Sequence, residues 1–189
     1  MAYFDNAATT YPKPECVYDF MNTFYRSSGG NAGRGTHALS IGAGKLIAET
    51  RQKLQKVLRC QNKQIVFTPT ATIALNIIIQ GVVEKLFSSN GKPLQVYISP
   101  FEHNAVKRVL HHFENVGRAF VHVLPISKDF RYDFDALKNA FDAKNPDMIV
   151  VSHASNVIGL ISPVKEICGL GKKYGAVTVL DMAQTAGLV

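Results

Sequence analysis

The sequence is poor in cysteine, and its cysteines are far apart. The 189 residues include three, Cys16, Cys60 and Cys168, with no CxxC motif and no Cys/His spacing typical of a metal site. This pattern argues against a disulfide framework, and we expect no bound metal. It fits a reducing cytoplasm, where the three thiols are expected to serve in packing.

A long hydrophobic run is also missing. The most apolar stretch, Ile73 to Val83, is interrupted by Asn76 and Gln80, and it is far shorter than the roughly 20 residues that a spanning helix needs. The N-terminus lacks the basic start and apolar centre of a secretory signal. We therefore expect no membrane segment.

The positive charge forms no block. The net charge is +7 and the pI is near 9.4, yet the lysines and arginines are scattered through helical segments. We expect no nucleic-acid partner, since the same positive balance suits a small anionic ligand. With 47% hydrophobic residues, the composition is that of an ordinary globular domain.

Extended and helical patterns alternate along most of the chain. Strands are predicted at 64–68, 94–99, 119–124, 148–153 and 177–181, and helices at 15–26, 40–59, 72–87, 102–115, 134–143 and 164–174. Strands separated by single helices need crossover connections. The pattern predicts an α/β fold, with a mostly parallel sheet covered by helices on both faces.

Polar residues follow several of these strands. Asp181 ends an apolar run, and Gln184 comes three residues later. Thr72 begins a helix directly after another strand, where backbone N–H groups suit an anion, although the GxxxxGK[ST] pattern of nucleotide hydrolases is absent. His103 and Asn156 follow two further strands. Each of these residues could instead be a helix cap, a turn residue or a solvated side chain.

The carboxyl edge of a parallel sheet collects such residues at one place. Together these residues suit a ligand with four features: an anion at a helix terminus, a ring beneath an imidazole, a ring nitrogen opposite Asp181, and a hydroxyl near Gln184 and Asn156. Pyridoxal 5′-phosphate has all four. A carboxylate beside the pyridine nitrogen keeps it protonated and makes the ring an electron sink. The sequence therefore predicts this cofactor.

A glycine-rich loop, 27–37, precedes the second predicted helix. Its composition is typical of a flexible connector. Arg34 and His37 among the glycines allow another interpretation, in which a bare backbone lets a ligand or a second subunit approach closely.

Several dispersed motifs together resemble the class V aminotransferases, and most of all the cysteine desulfurases and selenocysteine lyases. They are the segments 3–10, 33–37, 67–72, 102–104, 152–159 and 181–184. The resemblance covers the whole chain and implies the large domain of a fold type I pyridoxal-phosphate enzyme, incomplete at the C-terminus. Residues 1–30 would belong to the small domain and residues 31–189 to the cofactor domain.

The resemblance also implies roles for individual residues. Ala71 and Thr72 would hold the cofactor phosphate, His103 would stack on the ring as the catalytic histidine, and Asp181 would face the ring nitrogen. The ring hydroxyl would lie near two amides, those of Asn156 and Gln184. Arg34 and His37 would lie near the substrate or a dimer interface. Thr70 and Ile73 depart from the Gly and Glu that family members often carry there.

The resemblance implies an enzyme that removes sulfur from L-cysteine, giving alanine and an enzyme persulfide. A homodimer and a sulfur-acceptor protein are its implied partners. The family's cofactor-bearing lysine, acceptor cysteine and substrate arginine match no residue of this chain, so we expect these 189 residues to be inactive alone. The alternatives are another class V enzyme, such as an aminotransferase or a selenocysteine lyase, and a non-catalytic nucleotide-binding module.

Overall fold

The computed structural model describes residues 2–189 and divides into two compact units. The first is Met1–Phe67 and the second is Thr68–Val189. This boundary differs from the predicted division at residues 30 and 31, because helix 38–57 groups with the N-terminal residues. The assignment to a small and a large domain stays a prediction.

The first unit contains two helices, α1 (Glu15–Ser27) and α2 (Ala38–Val57). Helix α1 carries apolar residues at helical spacing, yet none of its side chains is buried. Helix α2 begins at a cap made by His37 and buries two small residues, Ser40 and Ala43.

The strand predicted at 64–68 is wrong. Val66 is 77% exposed, and within residues 2–189 no neighbouring strand pairs with this segment. Its contacts are made by a side chain, because Arg51 Nε donates to the Ile65 carbonyl at 3.1 Å and the guanidinium lies 5.3 Å from the Phe67 ring centre. A β-rich sequence forms a strand only where its backbone groups find a ladder.

The second unit is an alternation of helices and parallel strands. In chain order they are α3 (Ala71–Asn90), β1 (Leu94–Ile98), α4 (Asn104–Asn115), β2 (Ala119–Val123), α5 (Phe134–Ala143), β3 (Met148–Ser152), α6 (Val164–Lys173) and β4 (Val177–Asp181). The sheet order is β2-β1-β3-β4, and all three pairings are parallel. The predicted α/β class with a parallel sheet is confirmed.

Helices cover both faces of this sheet. On one face α3 and α4 pack on the strands through a cluster that includes Ile79, Val106 and Val150. On the other face α5 and α6 pack through a cluster that includes Phe141 and Ile149. Strands buried on both faces are largely apolar, and this accounts for the continuous Met-Ile-Val-Val run with which β3 begins.

The strand register brings two polar residues side by side at the carboxyl edge. Ser152, the last residue of β3, is paired with Asp181, the last residue of β4. The backbone N–H of His153 donates to the Asp181 carbonyl at 2.8 Å, which continues the ladder by one bond. The two strands therefore end level with each other.

Helix α3 has 20 residues and a mean hydropathy of 1.3, so by length and composition alone it could cross a membrane. The short apolar run from Ile73 to Val83 predicted no membrane segment, whereas the helix that contains this run is 20 residues long. Leu75, Ile79 and Val83 lie in the core cluster shared with α4 and the sheet, which accounts for one apolar face of the helix. The other face exposes Ile77 and Ile78.

Candidate functional site

The N-terminus of α3 presents two backbone donors. The Thr70 hydroxyl caps the helix by accepting from the Ile73 N–H at 3.2 Å, and the Thr70 carbonyl accepts from the Ala74 N–H at 3.1 Å. Within the part of the chain that the structure describes, the N–H groups of Ala71 and Thr72 have no hydrogen-bond partner. Both lie at the positive end of the helix dipole, where an anion is stabilised.

A cavity of about 430 Å³ lies at the N-terminal ends of α3 and α4. Its lining includes Thr72, His103 and Arg108. Asn76 joins the two helices, because its side-chain amide donates to the Thr72 carbonyl at 2.8 Å and to the Ala105 carbonyl at 3.5 Å. The structure thus brings together the predicted anion-binding threonine and the predicted stacking histidine.

His103 is the N-cap of α4. Its Nδ1 accepts from the Ala105 backbone N–H at 3.1 Å, which fixes the ring orientation and places the proton of the neutral ring on Nε2. The side chain is otherwise exposed. The capping role and a ligand-facing role therefore coexist, because capping occupies one ring nitrogen and leaves the ring faces and Nε2 available.

Asp181 lies at the carboxyl edge of the sheet, at the end of β4, and is half-buried. One carboxylate oxygen accepts from the Ala183 backbone N–H at 2.9 Å, which holds the side chain against the turn that follows. His153 steadies that turn through a 2.8 Å hydrogen bond to the buried hydroxyl of Thr185. Asp181 is thereby positioned by its own turn and by the neighbouring strand.

The remaining predicted cofactor residues lie in the turns after β3 and β4. Asn156 is exposed in a tight turn in which the Ser155 hydroxyl accepts from two backbone N–H groups. Gln184 is half-buried. Asp181, Asn156 and Gln184 do not line the Thr72–His103 cavity. The convergence of all these residues on one ligand stays a prediction.

Arg34 and His37 belong to the first unit. Arg34 is exposed, and Nδ1 of His37 accepts from the Ser40 N–H at 3.4 Å at the start of α2. Gly35 has φ +107°, a conformation that favours glycine. Gly35 and the His37 cap therefore set the local conformation of the loop. The role of Arg34 and His37 at the substrate or at an interface stays a prediction.

Glu102, which is 5% exposed, was not among the site residues predicted from the sequence. Its two carboxylate oxygens accept from the Ser152 backbone N–H at 2.5 Å and from the Ser152 hydroxyl at 2.9 Å. Burial raises the pKa of Glu102 to about 7, although the Ser152 hydrogen bonds oppose that rise. The available signal was a carboxylate at a strand-to-helix turn directly before His103.

The cysteines form no disulfide among the described residues, and residues 2–189 contain no cluster of metal-ligating side chains. Cys16 is exposed, so the packing role expected for it is wrong. Cys168 is half-buried, and burial raises the pKa of its thiol. The environment of Cys168 therefore does not favour a reactive thiolate.

Comparison with known proteins identifies the family of this chain. The family model for aminotransferase class-V matches residues 2–188. This chain belongs to the class-V aminotransferase family.

Similar class-V sequences include cysteine desulfurases. The cysteine desulfurase IscS of Dictyoglomus turgidum is 34% identical over 98% of this chain and 45% of that protein. A probable cysteine desulfurase of Pyrococcus abyssi is 30% identical over 98% of this chain and 44% of that protein. The chain spans about half the length of the curated relatives that it matches.

Solved structures of other proteins share the fold. The apo cysteine desulfurase from Thermococcus onnurineus NA1 matches 97% of this chain and 44% of its own, with a TM-score of 0.87 and 26% identity. A NifS-like protein matches 97% of this chain and 49% of its own, with a TM-score of 0.86 and 28% identity.

Class-V aminotransferases use pyridoxal phosphate, and the residues present here fit that group. Ala71 and Thr72 offer unpaired N–H donors to a phosphate, and His103 beside them offers an aromatic face. Asp181 offers an anion to a ring nitrogen. The donor set therefore contains a partner for the phosphate, for the ring and for its basic atom.

Proposed function

We propose that this chain forms the cofactor-binding part of a pyridoxal-phosphate-dependent cysteine desulfurase. The observation that carries the proposal is the cavity shared by Thr72 and His103 at the helix α3 N-terminus, at the sheet edge where Asp181 ends β4. The cysteine desulfurases among its relatives support L-cysteine as the substrate. A sulfur-acceptor protein, a homodimer and a cytoplasmic location belong to the same proposal.

Each residue has a distinct task in this proposal. Ala71 and Thr72 bind the phosphate through their N–H groups, and the Thr72 hydroxyl adds a third donor. His103 covers one ring face and, through Nε2, holds or moves a proton near the reacting carbon. Asp181 keeps a proton on the ring nitrogen. When bound, the cofactor supplies an electron sink for a carbanion at the substrate α-carbon.

The 189 residues alone are proposed to bind cofactor without turnover. The last lysines of the sequence, Lys172 and Lys173, lie at the end of α6, and no lysine follows Gln184. A phosphate cradle and a ring-nitrogen partner suffice for capture, whereas chemistry at the aldehyde needs an amine aimed at it.

The experiment has two readouts on the purified chain mixed with pyridoxal phosphate. Borohydride trapping followed by mass spectrometry is expected to show no single lysine modified stoichiometrically, and sulfide release from cysteine is expected to equal that of free cofactor. A stoichiometric adduct on one lysine, together with turnover above that of free cofactor, would contradict the proposed lack of catalytic activity. Transfer of an amino group to a keto acid would favour an aminotransferase instead.

A phosphate-end variant tests the binding assignment itself. Thr72→Val removes one hydroxyl donor and is expected to weaken pyridoxal-phosphate binding about ten- to a hundred-fold, the effect of one hydrogen bond to a charged group. Thr50→Val is the matched control, because Thr50 lies in α2 and its hydroxyl donates to the Leu46 carbonyl. Equal affinities of Thr72→Val and the control, measured by calorimetry, would remove Thr72 from the site.

A further inference from the structure

The buried carboxyl of Glu102 connects the two halves of the candidate site. It lies between Phe101 and His103, at the turn from β1 into α4. Its hydrogen bonds go to Ser152, the last residue of β3. One side chain thus ties the turn that carries His103 to the strand that lies next to β4.

The tie extends to Asp181 through the sheet. Ser152 is paired with Asp181 in the β3–β4 register, and the Asp181 charge is close enough to Glu102 to raise the pKa of Glu102. The two side chains that are proposed to bracket the cofactor ring, His103 and Asp181, are therefore both placed relative to Ser152. Glu102 makes the connection on the His103 side.

The surroundings of Glu102 are polar but contain few charges. Ser99 lies within hydrogen-bonding range, and Tyr132 is close enough for the Glu102 charge to raise the pKa of its phenol. Asp181 is the charged neighbour that acts on Glu102. No described lysine or arginine pairs with the carboxyl, so hydrogen bonds and not a salt bridge hold it.

We propose that Glu102 is a positioning residue of the cofactor site, one that fixes the spacing of His103 and Asp181 through its paired hydrogen bonds to Ser152. This inference rests on the proposed function. A buried side chain that satisfies both the N–H and the hydroxyl of one residue locks that residue in place, and loss of such support misplaces the groups that contact the ligand.

Substitutions of Glu102 can separate its hydrogen bonds to Ser152 from its charge. Glu102→Gln keeps both hydrogen bonds, because the amide oxygen accepts from the Ser152 N–H and the amide NH₂ donates to the hydroxyl oxygen. Glu102→Ala removes both bonds and leaves a buried N–H unsatisfied. Glu102→Asp is shorter by one methylene, so it retains the charge but reaches less far, and it replaces the alanine variant if that variant does not fold.

The test uses two probes on the full chain, pyridoxine 5′-phosphate, which has no aldehyde, and inorganic phosphate. We expect Glu102→Ala or Glu102→Asp to raise the Kd for pyridoxine 5′-phosphate about ten-fold, and Glu102→Gln to stay within about two-fold of wild type. The Kd for inorganic phosphate is expected to be the same in all variants, since its donors lie on α3. Circular dichroism establishes that each variant is folded.

Three results would overturn the inference. They are wild-type affinity in the alanine and aspartate variants, a glutamine variant that binds as weakly as the alanine variant, and an equal loss of affinity for both probes. The second result would assign the effect to charge, and the third to general loosening of the second unit. A folded wild-type chain that does not bind pyridoxine 5′-phosphate would overturn the proposed function, and the inference would fall with it.

Discussion

The pKa of Glu102 differs between the folded protein and the free side chain, and this difference predicts how stability depends on pH. Burial raises the pKa of Glu102 from its ordinary value of 4.5 to about 7. In the window between these values the folded protein holds the proton more tightly than the unfolded chain. Its contribution to the free energy of unfolding is therefore complete below about pH 4.5 and is lost as the pH rises through about 7.

The comparison with Glu102→Gln isolates this contribution. The difference in unfolding free energy, wild type minus variant, is expected to fall by about 3 kcal/mol from acid to neutral pH. Urea unfolding followed by circular dichroism at several pH values measures it. A difference that does not change with pH would show that Glu102 ionises normally.

Some residues of the candidate site could be predicted from the sequence and others could not. Asp181 was identified because an apolar strand ended in a charge, and the structure places it at the end of β4. Glu102 was missed because nothing in the sequence shows that Ser152, fifty positions away, meets its carboxyl. A buried hydrogen-bond pair depends on the register of strands, and that register is fixed only by the packed sheet.

Among the elements, helix α6 offers a matched pair of glycines. A Cβ on Gly171 would lie 2.5 Å from Cδ1 of Ile149, a fully buried residue of β3, whereas a Cβ on Gly169 would meet no atom within 4 Å. Gly171→Ala is expected to destabilise by about 1–2 kcal/mol, since overpacking outweighs the better helix propensity of alanine.

Gly169→Ala in the same helix is expected to stabilise by about 0.5–1 kcal/mol through propensity alone. Guanidinium unfolding of both variants measures the two shifts. Destabilisation by both substitutions, or by neither, would mean that α6 does not pack on β3 through Gly171.

The elements of the second unit were predicted to within a few residues, and the reason is physical. The central strands β1 and β3 are largely buried apolar runs, and the helices α4 and α5 are amphipathic and begin at capping residues, His103 and Asp133. The segment 64–68 has the same β-rich composition, yet it forms no strand because no backbone within residues 2–189 pairs with it. Local sequence reports propensity, whereas a strand also needs a neighbour.

For the whole molecule, exposed apolar surface predicts self-association. Helix α1 exposes Phe20, Met21 and Tyr25, and the second unit exposes Ile77 and Ile78. The rings of Phe20, Phe24 and Tyr25 in α1 lie next to each other, and a contiguous apolar patch of this kind is rare on isolated monomers. Light scattering is expected to show an average mass that rises with concentration, and Phe20→Lys is expected to reduce that rise. A constant monomer mass over a wide concentration range would contradict the prediction.

Thr72, His103 and Asp181 are proposed to contact one cofactor molecule. Nuclear magnetic resonance of the isotope-labelled chain, titrated with pyridoxine 5′-phosphate, tests this shared contact. The backbone signals of these three residues are expected to shift together and to fit one dissociation constant, with one ligand bound per chain. Shifts at Thr72 alone, or three residues that titrate with different constants, would contradict a single site.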